Sequence, residues 1–272
     1  MPNARALILK LLTTAESGRL SAAEAVRAGA LFDISENSIR VALARLTQAG
    51  LAEIVERGAY RLGPQGRRLG AEVAGWRQTE ARLTRWSGAW IAVATGGLPR
   101  SDRRVLRARE RALSMLGMRE LEAGLFLRPD NFRGGIESVR RRLRDLGLGA
   151  DAAVFCANGF DAGRQARALR LWQEDTNPES YDAAGRRLGD WLAQANGLPL
   201  QRAARESYLL GDAAIRRILF DPMLPAPLAD ETARHEFIRA AIRFDEAGRR
   251  IWAAFLDGAA GSPATAMFAL PG

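Results

Sequence analysis

The sequence has very little of the side-chain chemistry on which catalysis and metal binding commonly depend. Its 272 residues include one cysteine, Cys156, and one histidine, His235. A single cysteine forms no disulfide within the chain, and these two residues cannot build a Cys/His zinc cluster. A Ser-His-Asp triad would depend on His235 alone, and no serine lies in a Gly-x-Ser-x-Gly motif. We therefore expect a protein that is not an enzyme and that has neither a metal site nor a cofactor.

Both of these rare residues have a structural interpretation. Cys156 lies in the apolar stretch AAVFCANGF, which predicts a strand with the thiol buried in packing. His235 lies in a helical segment near the C-terminus, where a lone histidine is more often structural than catalytic.

Long hydrophobic runs are also missing. The longest uncharged stretches, residues 86–99 and the last residues from Gly258, are too short to span a bilayer. The N-terminal segment has charges at Arg5 and Lys10 and no signal-peptide core. These features favour a cytoplasmic protein that does not enter a membrane.

Lysine is nearly absent, because 39 of the 40 basic residues are arginine, and the positive charge is unevenly distributed. Residues 1–160 contain 26 basic residues against 16 acids, whereas residues 161–272 contain 14 against 15. Genomic base composition explains arginine in place of lysine, but it does not explain this gradient. The asymmetry predicts a polyanionic partner for the first 160 residues.

The first 50 residues predict three helices. The first spans about residues 4–15, where leucine and isoleucine repeat at helical spacing. Ser21 and Glu24 have the spacing of a capping box at the start of the second, and Ser35 caps the third. Gly50 ends the third helix. The apolar side of the third helix, which we expect to face the other two, consists of Ile39, Ala42, Leu43, Leu46 and Ala49.

A two-stranded hairpin is predicted after these helices. The segment LAEIVERGAYRLG contains two short strand patterns, and Gly58 provides the positive φ of a tight turn after Arg57. Three helices followed by a hairpin is the order of a winged helix-turn-helix. In that architecture the third helix enters the DNA major groove and the hairpin touches the flanking backbone.

The outward side of the third helix has the side chains that contact base edges. Asn and Gln bond adenine bidentately, Arg does the same to guanine, and small residues allow a close approach. The alternative is a merely solvated face, but such faces favour i,i+4 pairs of Glu and Lys, and no acid follows Glu36 here. The predicted DNA-contacting residues of this helix are Ser35, Asn37, Ser38, Arg40, Val41, Ala44, Arg45 and Gln48. Arg57 and Arg61 of the hairpin are candidate phosphate contacts.

The middle of the chain predicts a helix that connects to a small α/β layer. Trp76, Leu83 and Trp86 are the expected anchors of the connecting helix. Strand and helix patterns then alternate as β-α-β-α-β, which fits a ferredoxin-like layer if RELEAGLFLRP divides into two strands. The basic runs RRVLRARER and RRRLRDL lie on its two helices. They are either solvated helix backs, which we favour, or a second DNA-contacting surface without sequence preference.

From residue 161 onward the pattern is helical. We therefore predict an α+β protein with an N-terminal winged helix-turn-helix, a middle ferredoxin-like domain and a C-terminal helical domain. The predicted boundaries are 1–66 for the DNA-binding domain, 67–86 for the connecting helix, 87–160 for the middle domain and 161–272 for the C-terminal domain.

Four segments together resemble the phenylacetate-operon repressors, the PaaX-type family of transcriptional regulators. They are GALFDISENSIRVALARLTQAGLAEIVERGAYRLGPQGRRL, then WSGAWIAV, GMRELEAGLFLRPDN and DPMLPAPL, in this order along nearly the whole chain. The resemblance implies a homodimeric repressor of a catabolic operon that binds a pseudo-palindromic site in double-stranded DNA. It also implies release from DNA by an acyl-CoA thioester such as phenylacetyl-CoA.

The resemblance implies an effector pocket, which residue spacing alone does not locate. No glycine-rich phosphate-binding loop is present. The aromatic and basic candidates for this pocket are Trp172, Tyr181, Trp191, Tyr208, Arg186, Arg187, Arg216 and Arg217. For each of them we favour the alternative, which is plain packing or a surface charge. Two alternatives remain: a DNA-binding regulator whose effector is not a CoA thioester, and a metal-dependent nuclease acting through the middle domain. The family's middle domain resembles a small nuclease whose first strand is followed by a metal-binding carboxylate. Here that strand ends without an acid, and Asp102 is predicted to cap a helix.

Overall fold

The computed structural model describes residues 1–15, 18–99, 101–173 and 180–258. In this part of the chain the protein is a mixture of helices and two small antiparallel sheets, which agrees with the predicted α+β class. No helix among the residues described has both the length and the apolar character needed to cross a membrane.

The chain divides into two compact units. Unit 1 contains Met1–Arg77, Ala183–Arg216 and the residues from Phe237 onward, and unit 2 contains Gln78–Asp182 and Arg217–Glu236. The residues from 161 onward, which we predicted to form one helical domain, are therefore shared between the units. Helical periodicity shows that a segment has a buried side, but it does not show which core that side joins.

Unit 1 begins with three helices: α1 (Ala4–Thr14), α2 (Ala22–Ala30) and α3 (Glu36–Gln48). The predicted capping box is confirmed, because the Ser21 side chain accepts from the Glu24 amide and the Glu24 carboxylate accepts from the Ser21 amide. Ser35 caps α3 by accepting a hydrogen bond from the Ser38 amide. These local bonds satisfy amides that the first turn of a helix leaves unpaired.

A three-stranded sheet accompanies these helices. It consists of β1 (Leu20–Ser21), β2 (Ala52–Glu56) and β3 (Ala59–Leu62), in the spatial order β1-β3-β2. Gly58 has φ +81° in the turn of the predicted hairpin. The sequence did not predict β1, because two residues are too few to show an alternating pattern.

The core of unit 1 joins its N-terminal helices to helices from the other end of the chain. These are α8 (Tyr181–Ala195), α9 (Leu200–Leu219) and α10 (Glu231–Leu256), and the unit boundaries fall within them. Leu7, Leu43 and Leu46 share one buried cluster with Tyr208 and Trp252. The first three helices are therefore part of a larger core than the predicted domain 1–66 contains.

The predicted connecting helix is shorter than expected. Helix α4 (Pro64–Ala74) is followed by two short 3-10 helices at Gly75–Gln78 and Glu80–Arg82. Gly66 of α4 lies so close to the Leu51 carbonyl oxygen that a Cβ atom there would overlap it. The expected anchor Trp76 is buried.

Unit 2 contains a four-stranded antiparallel sheet. Its elements follow in the order β4 (Trp90–Ala94), α5 (Arg103–Met115), β5 (Arg119–Glu122), β6 (Leu125–Pro129), α6 (Gly135–Asp145) and β7 (Ala153–Ala157). The spatial order is β5-β6-β4-β7. The stretch RELEAGLFLRP does divide into two strands, with Gly124 at φ +77° between them. Asp102 caps α5 as predicted, accepting from the amides of Arg104 and Val105.

One face of this sheet packs against tryptophans and a seventh helix, α7 (Ala162–Arg170). The Trp90 ring is stacked on Trp172 with 5.9 Å between centroids, and Trp86 meets it edge-on at 5.0 Å. Ala168 of α7 and Leu224 complete this buried cluster.

Two details differ from the sequence predictions. Cys156 is exposed rather than buried, because among the described strands β7 lies at the edge of the sheet and pairs with β4 alone. Ala49, which we placed on the buried side of α3, is exposed. It is the residue after the helix, with φ −80° and ψ 1°, so the helical wheel no longer describes its direction.

Candidate nucleic-acid interface

The outward side of α3 is formed by the residues predicted from the sequence. Every one of those eight side chains is exposed, whereas Ile39, Ala42, Leu43 and Leu46 on the other side are buried. Val41 is 40% exposed, which leaves an apolar side chain in water between polar neighbours. A stripe of amide, guanidinium and small side chains is thus available along four turns of helix.

The two arginines of this side differ in their partners. Arg40 donates from Nε and Nη2 to Oε1 of Glu36, at 2.8 and 2.6 Å, one helical turn away. Arg45 is exposed and makes no hydrogen bond or ion pair with another described residue. An exposed pair of this kind stabilises a helix by only about 0.3–0.5 kcal/mol, so Arg40 can exchange its carboxylate for another anion at little cost.

The hairpin shows the same contrast between a paired and an unpaired arginine. Arg61 lies opposite Glu53 in the β2–β3 register and donates from Nε to its Oε1 at 2.5 Å. Arg57, at the tip, is exposed and has no ion-pair partner among the residues described. The two predicted phosphate contacts are therefore not equivalent.

Glu53 has a second partner that the sequence analysis missed. Arg67 of α4 donates from Nη1 to the same Oε1 atom at 3.0 Å. These two hydrogen bonds, from Arg61 first and Arg67 next, hold the pKa of Glu53 below its usual value. No local pattern indicates this contact, since 14 residues separate the partners.

The candidate effector residues belong to different units. Trp191, Tyr208, Arg186, Arg187 and Arg216 lie in unit 1, whereas Trp172, Tyr181 and Arg217 lie in unit 2. The structure therefore does not place the eight residues in one compact unit.

In unit 1 the two aromatic candidates take part in packing. Trp191 donates from Nε1 to Glu206 at 2.8 Å, and its ring is 5.1 Å from that of Phe244. Tyr208 is 6% exposed and Nζ of Lys10 lies 4.2 Å from its ring centroid. The cavity beside Tyr208 has a volume of about 30 Å³, which is the space of one water and not of a thioester.

Arg186 and Arg187 are exposed on α8, and Arg216 forms an ion pair with Asp212 one turn earlier on α9. Burial of Lys10 lowers its pKa, although the Asp212 carboxylate 3.6 Å away acts in the opposite direction.

In unit 2 the effector candidates also make contacts with other residues. Trp172 is buried in the tryptophan cluster and donates from Nε1 to the Gly117 carbonyl at 3.1 Å. The Tyr181 hydroxyl donates to Asp221, and the Arg217 guanidinium lies 5.0 Å from the Tyr181 ring centroid. Burial first, and then the Asp221 charge, raise the pKa of Tyr181.

The remaining titratable residues form no metal centre in the part of the chain that the structure describes. No group of three His, Cys, Asp or Glu side chains there is placed to hold an ion. His235 is exposed on α10, with Nδ1 2.7 Å from the Glu80 carboxylate.

Comparison with known proteins finds similarity among solved structures but no matching family. The chain is a mixed helix-and-sheet protein, no family model matches it, and no curated protein matches it. Among solved structures it is similar to the uncharacterized protein Rv0674 from Mycobacterium tuberculosis, with 26% identity and a TM-score of 0.58. The match covers 90% of this chain and 98% of that one.

Proposed function

We propose that this protein is a sequence-specific DNA-binding transcriptional regulator that contacts DNA through α3. The observation that supports the proposal best is the surface of α3. Its exposed residues offer bidentate groups and small side chains, and its buried residues fix the helix in the core of unit 1. Amide and guanidinium groups on a protruding helix are suited to adenine and guanine edges in the major groove.

The architecture around α3 supports the same proposal. Three helices and an antiparallel hairpin, with β1 completing a sheet of order β1-β3-β2, agree with a winged helix-turn-helix. Arg57 at the hairpin tip is then placed to touch phosphate, which adds affinity without sequence preference. The β-α-β-β-α-β order of unit 2 agrees with a ferredoxin-like layer.

In this proposal the protein represses a catabolic operon and leaves DNA when it binds an acyl-CoA thioester. This part follows from the resemblance to the phenylacetate-operon repressors. A homodimer presents two copies of α3 to half-sites about 34–36 Å apart on a pseudo-palindromic operator.

The test is a gel-shift titration with the DNA upstream of the protein's own gene. We expect a complex at physiological salt that random DNA of equal length does not compete away and that phenylacetyl-CoA or a related thioester dissolves. Equal affinity for upstream and random DNA would refute sequence-specific regulation.

The alternative, a DNA-binding regulator whose effector is not a CoA thioester, is tested with the same protein preparation. A ligand that binds the native state raises the melting temperature by mass action. A thermal-shift panel of acyl-CoA thioesters and free aromatic acids therefore identifies the effector class. If free acids raise the melting temperature and thioesters do not, the proposed effector is a free acid instead of a CoA thioester.

A further inference from the structure

Unit 2 contains a surface cavity of about 340 Å³ that is lined by four arginines. Arg82 belongs to the short helix before β4, Arg133 follows β6, and Arg141 and Arg142 lie on α6. Phe132 and Ser138 also line it, and no carboxylate does. We refer to this site as the arginine cavity; its volume is within the usual range for small-molecule sites.

The walls of the arginine cavity are held by backbone hydrogen bonds. The Arg133 amide donates to the Arg82 carbonyl at 2.7 Å, and the Thr84 amide donates to the Asn131 carbonyl at 2.9 Å. Leu83 and Phe132 form a β-bridge between these bonds. Two segments that are far apart in sequence are thus fixed side by side, so the cavity exists before any ligand binds.

The lining of the arginine cavity has four positive charges and no carboxylate. None of its four arginines forms an ion pair with an acid among the described residues. The Arg142 and Arg128 guanidiniums lie 5.5 and 3.8 Å from the Phe132 ring centroid. Arg128 is fully buried and donates to the carbonyls of Leu116 and Pro129 and to the Asn131 side chain.

Burial and neighbouring positive charges both act on the protonation of these arginines. Burial first and the Arg82 charge next lower the pKa of Arg142. Burial and then the Arg142 charge lower the pKa of Arg128, and Asp130 is the acid that opposes this. Asp130 does not line the cavity, and partial burial raises its own pKa. An anion in the cavity would relieve this repulsion.

We propose that the arginine cavity binds a small molecule with several phosphate groups. The guanidinium fork matches phosphate oxygens bidentately, and four such groups suit a ligand with at least two phosphates. A small ligand is favoured over a DNA backbone because the site is a cavity whose lining includes buried Phe132 and half-buried Arg142. That the ligand is also the effector rests on the proposed function.

The experiment uses calorimetry on the full-length protein with two probes, inorganic tripolyphosphate and free coenzyme A. The test variant is R82Q/R142Q. The control variant is R107Q/R111Q on α5, which removes the same charge from exposed residues that do not line the cavity. We expect the wild type to bind at least one probe, the test variant to lose tenfold or more in affinity, and the control to remain within twofold.

The test variant should fold, because it removes like charges; its melting temperature is expected to equal or exceed that of the wild type. Absence of binding to both probes, or equal losses in both variants, would overturn the proposal. So would a tenfold loss of random-duplex affinity in the test variant alone, which would assign the arginines to DNA.

Operator binding without ligand is measured in parallel and separates this proposal from the proposed function. Probe binding without operator binding leaves the arginine cavity in place and refutes the regulator. Operator binding without probe binding refutes the ligand proposed for the arginine cavity and leaves the proposed regulator in place.

Discussion

Helices α3 and α6 both present arginines on one side and bury leucine on the other, yet their arginines are in different electrostatic settings. On α3, Arg40 is paired with Glu36 on the same exposed surface. On α6, Arg142 is half-buried, and burial first and the charge of another arginine, Arg82, next lower its pKa. A helical wheel of either segment shows one buried apolar side and one side with arginines.

The difference teaches that two arginine surfaces of similar charge can differ in burial and in pairing with acids. An exposed arginine with an exposed carboxylate exchanges partners cheaply, which suits reversible contact with a long polyanion. Arginines gathered around a cavity without an acid repel one another, which suits a compact anion that enters the cavity.

The largest effect is expected from Arg128→Ala in unit 2. The substitution leaves a void beside Phe132 and removes the donor from three buried acceptors, and such losses cost about 3 kcal/mol or more. Urea unfolding should show the loss. Arg144→Ala, an exposed residue of α6, is the control and should change the free energy of unfolding by less than about 0.5 kcal/mol. Similar values for the two variants would show that Arg128 does not support the cavity.

The second prediction concerns the packing of α4 against Leu51, which follows α3. Gly66→Ala places a Cβ against the Leu51 carbonyl and should destabilise unit 1 by about 1–3 kcal/mol. Gly70→Ala on the same helix meets only ordinary contacts and should be neutral or stabilise by up to about 1 kcal/mol. Thermal unfolding compares the two variants. If Gly66→Ala were as stable as Gly70→Ala, the close approach of α4 to the Leu51 carbonyl would not be needed for the stability of unit 1.

The third prediction separates the two arginines of α3. Arg45→Ala should weaken operator binding by about 1–3 kcal/mol and relax specificity at one base position, because its guanidinium has no competing partner. Arg40→Ala should cost less, since binding by Arg40 requires release from Glu36. Gel shifts with single-base operator variants measure both, with Arg107→Ala as the charge-matched control. Equal, small losses of operator affinity for all three variants would contradict the assignment of the outward side of α3 to base contacts.

The smallest effect is expected at Glu53, whose pKa is lowered in the folded protein. A lowered carboxyl pKa adds stability above the unfolded value, about 4.3, and this stability is lost as pH falls through the folded pKa. Glu53→Gln should therefore be slightly less stable than the wild type at pH 7, and the difference should shrink as pH falls below the unfolded value. Melting temperatures from pH 7 into the acid range test it. A stability difference that stays constant as pH falls would show that the Glu53 charge is not responsible.

Much of the region around α3 was predictable because its signals are local. The caps at Ser21 and Ser35, the turn at Gly58 and the buried side of α3 depend on neighbours within a few residues. Predictions failed where tertiary surroundings decided burial. The apolar run around Cys156 does predict a strand, but only the sheet order makes that strand an edge.

The effector candidates were less predictable for a related reason. Trp172 and Tyr208 were chosen for their side-chain chemistry, and the structure places both in packed cores. An aromatic side chain has the same sequence signal whether it packs in a core or lines a binding site. Cavity volume distinguishes the two, and it depends on every surrounding element.

The two-sided character of α3 follows from its own residues, since helical periodicity and capping act over one or two turns. The fold of the chain brings Arg82 and Arg133 beside Arg142, and it lets Arg67 share Glu53 with Arg61. Such contacts join residues of different helices, strands and loops, where no local pattern constrains the distance. They exist because burial of the two cores stabilises the fold enough to hold these charged groups in place.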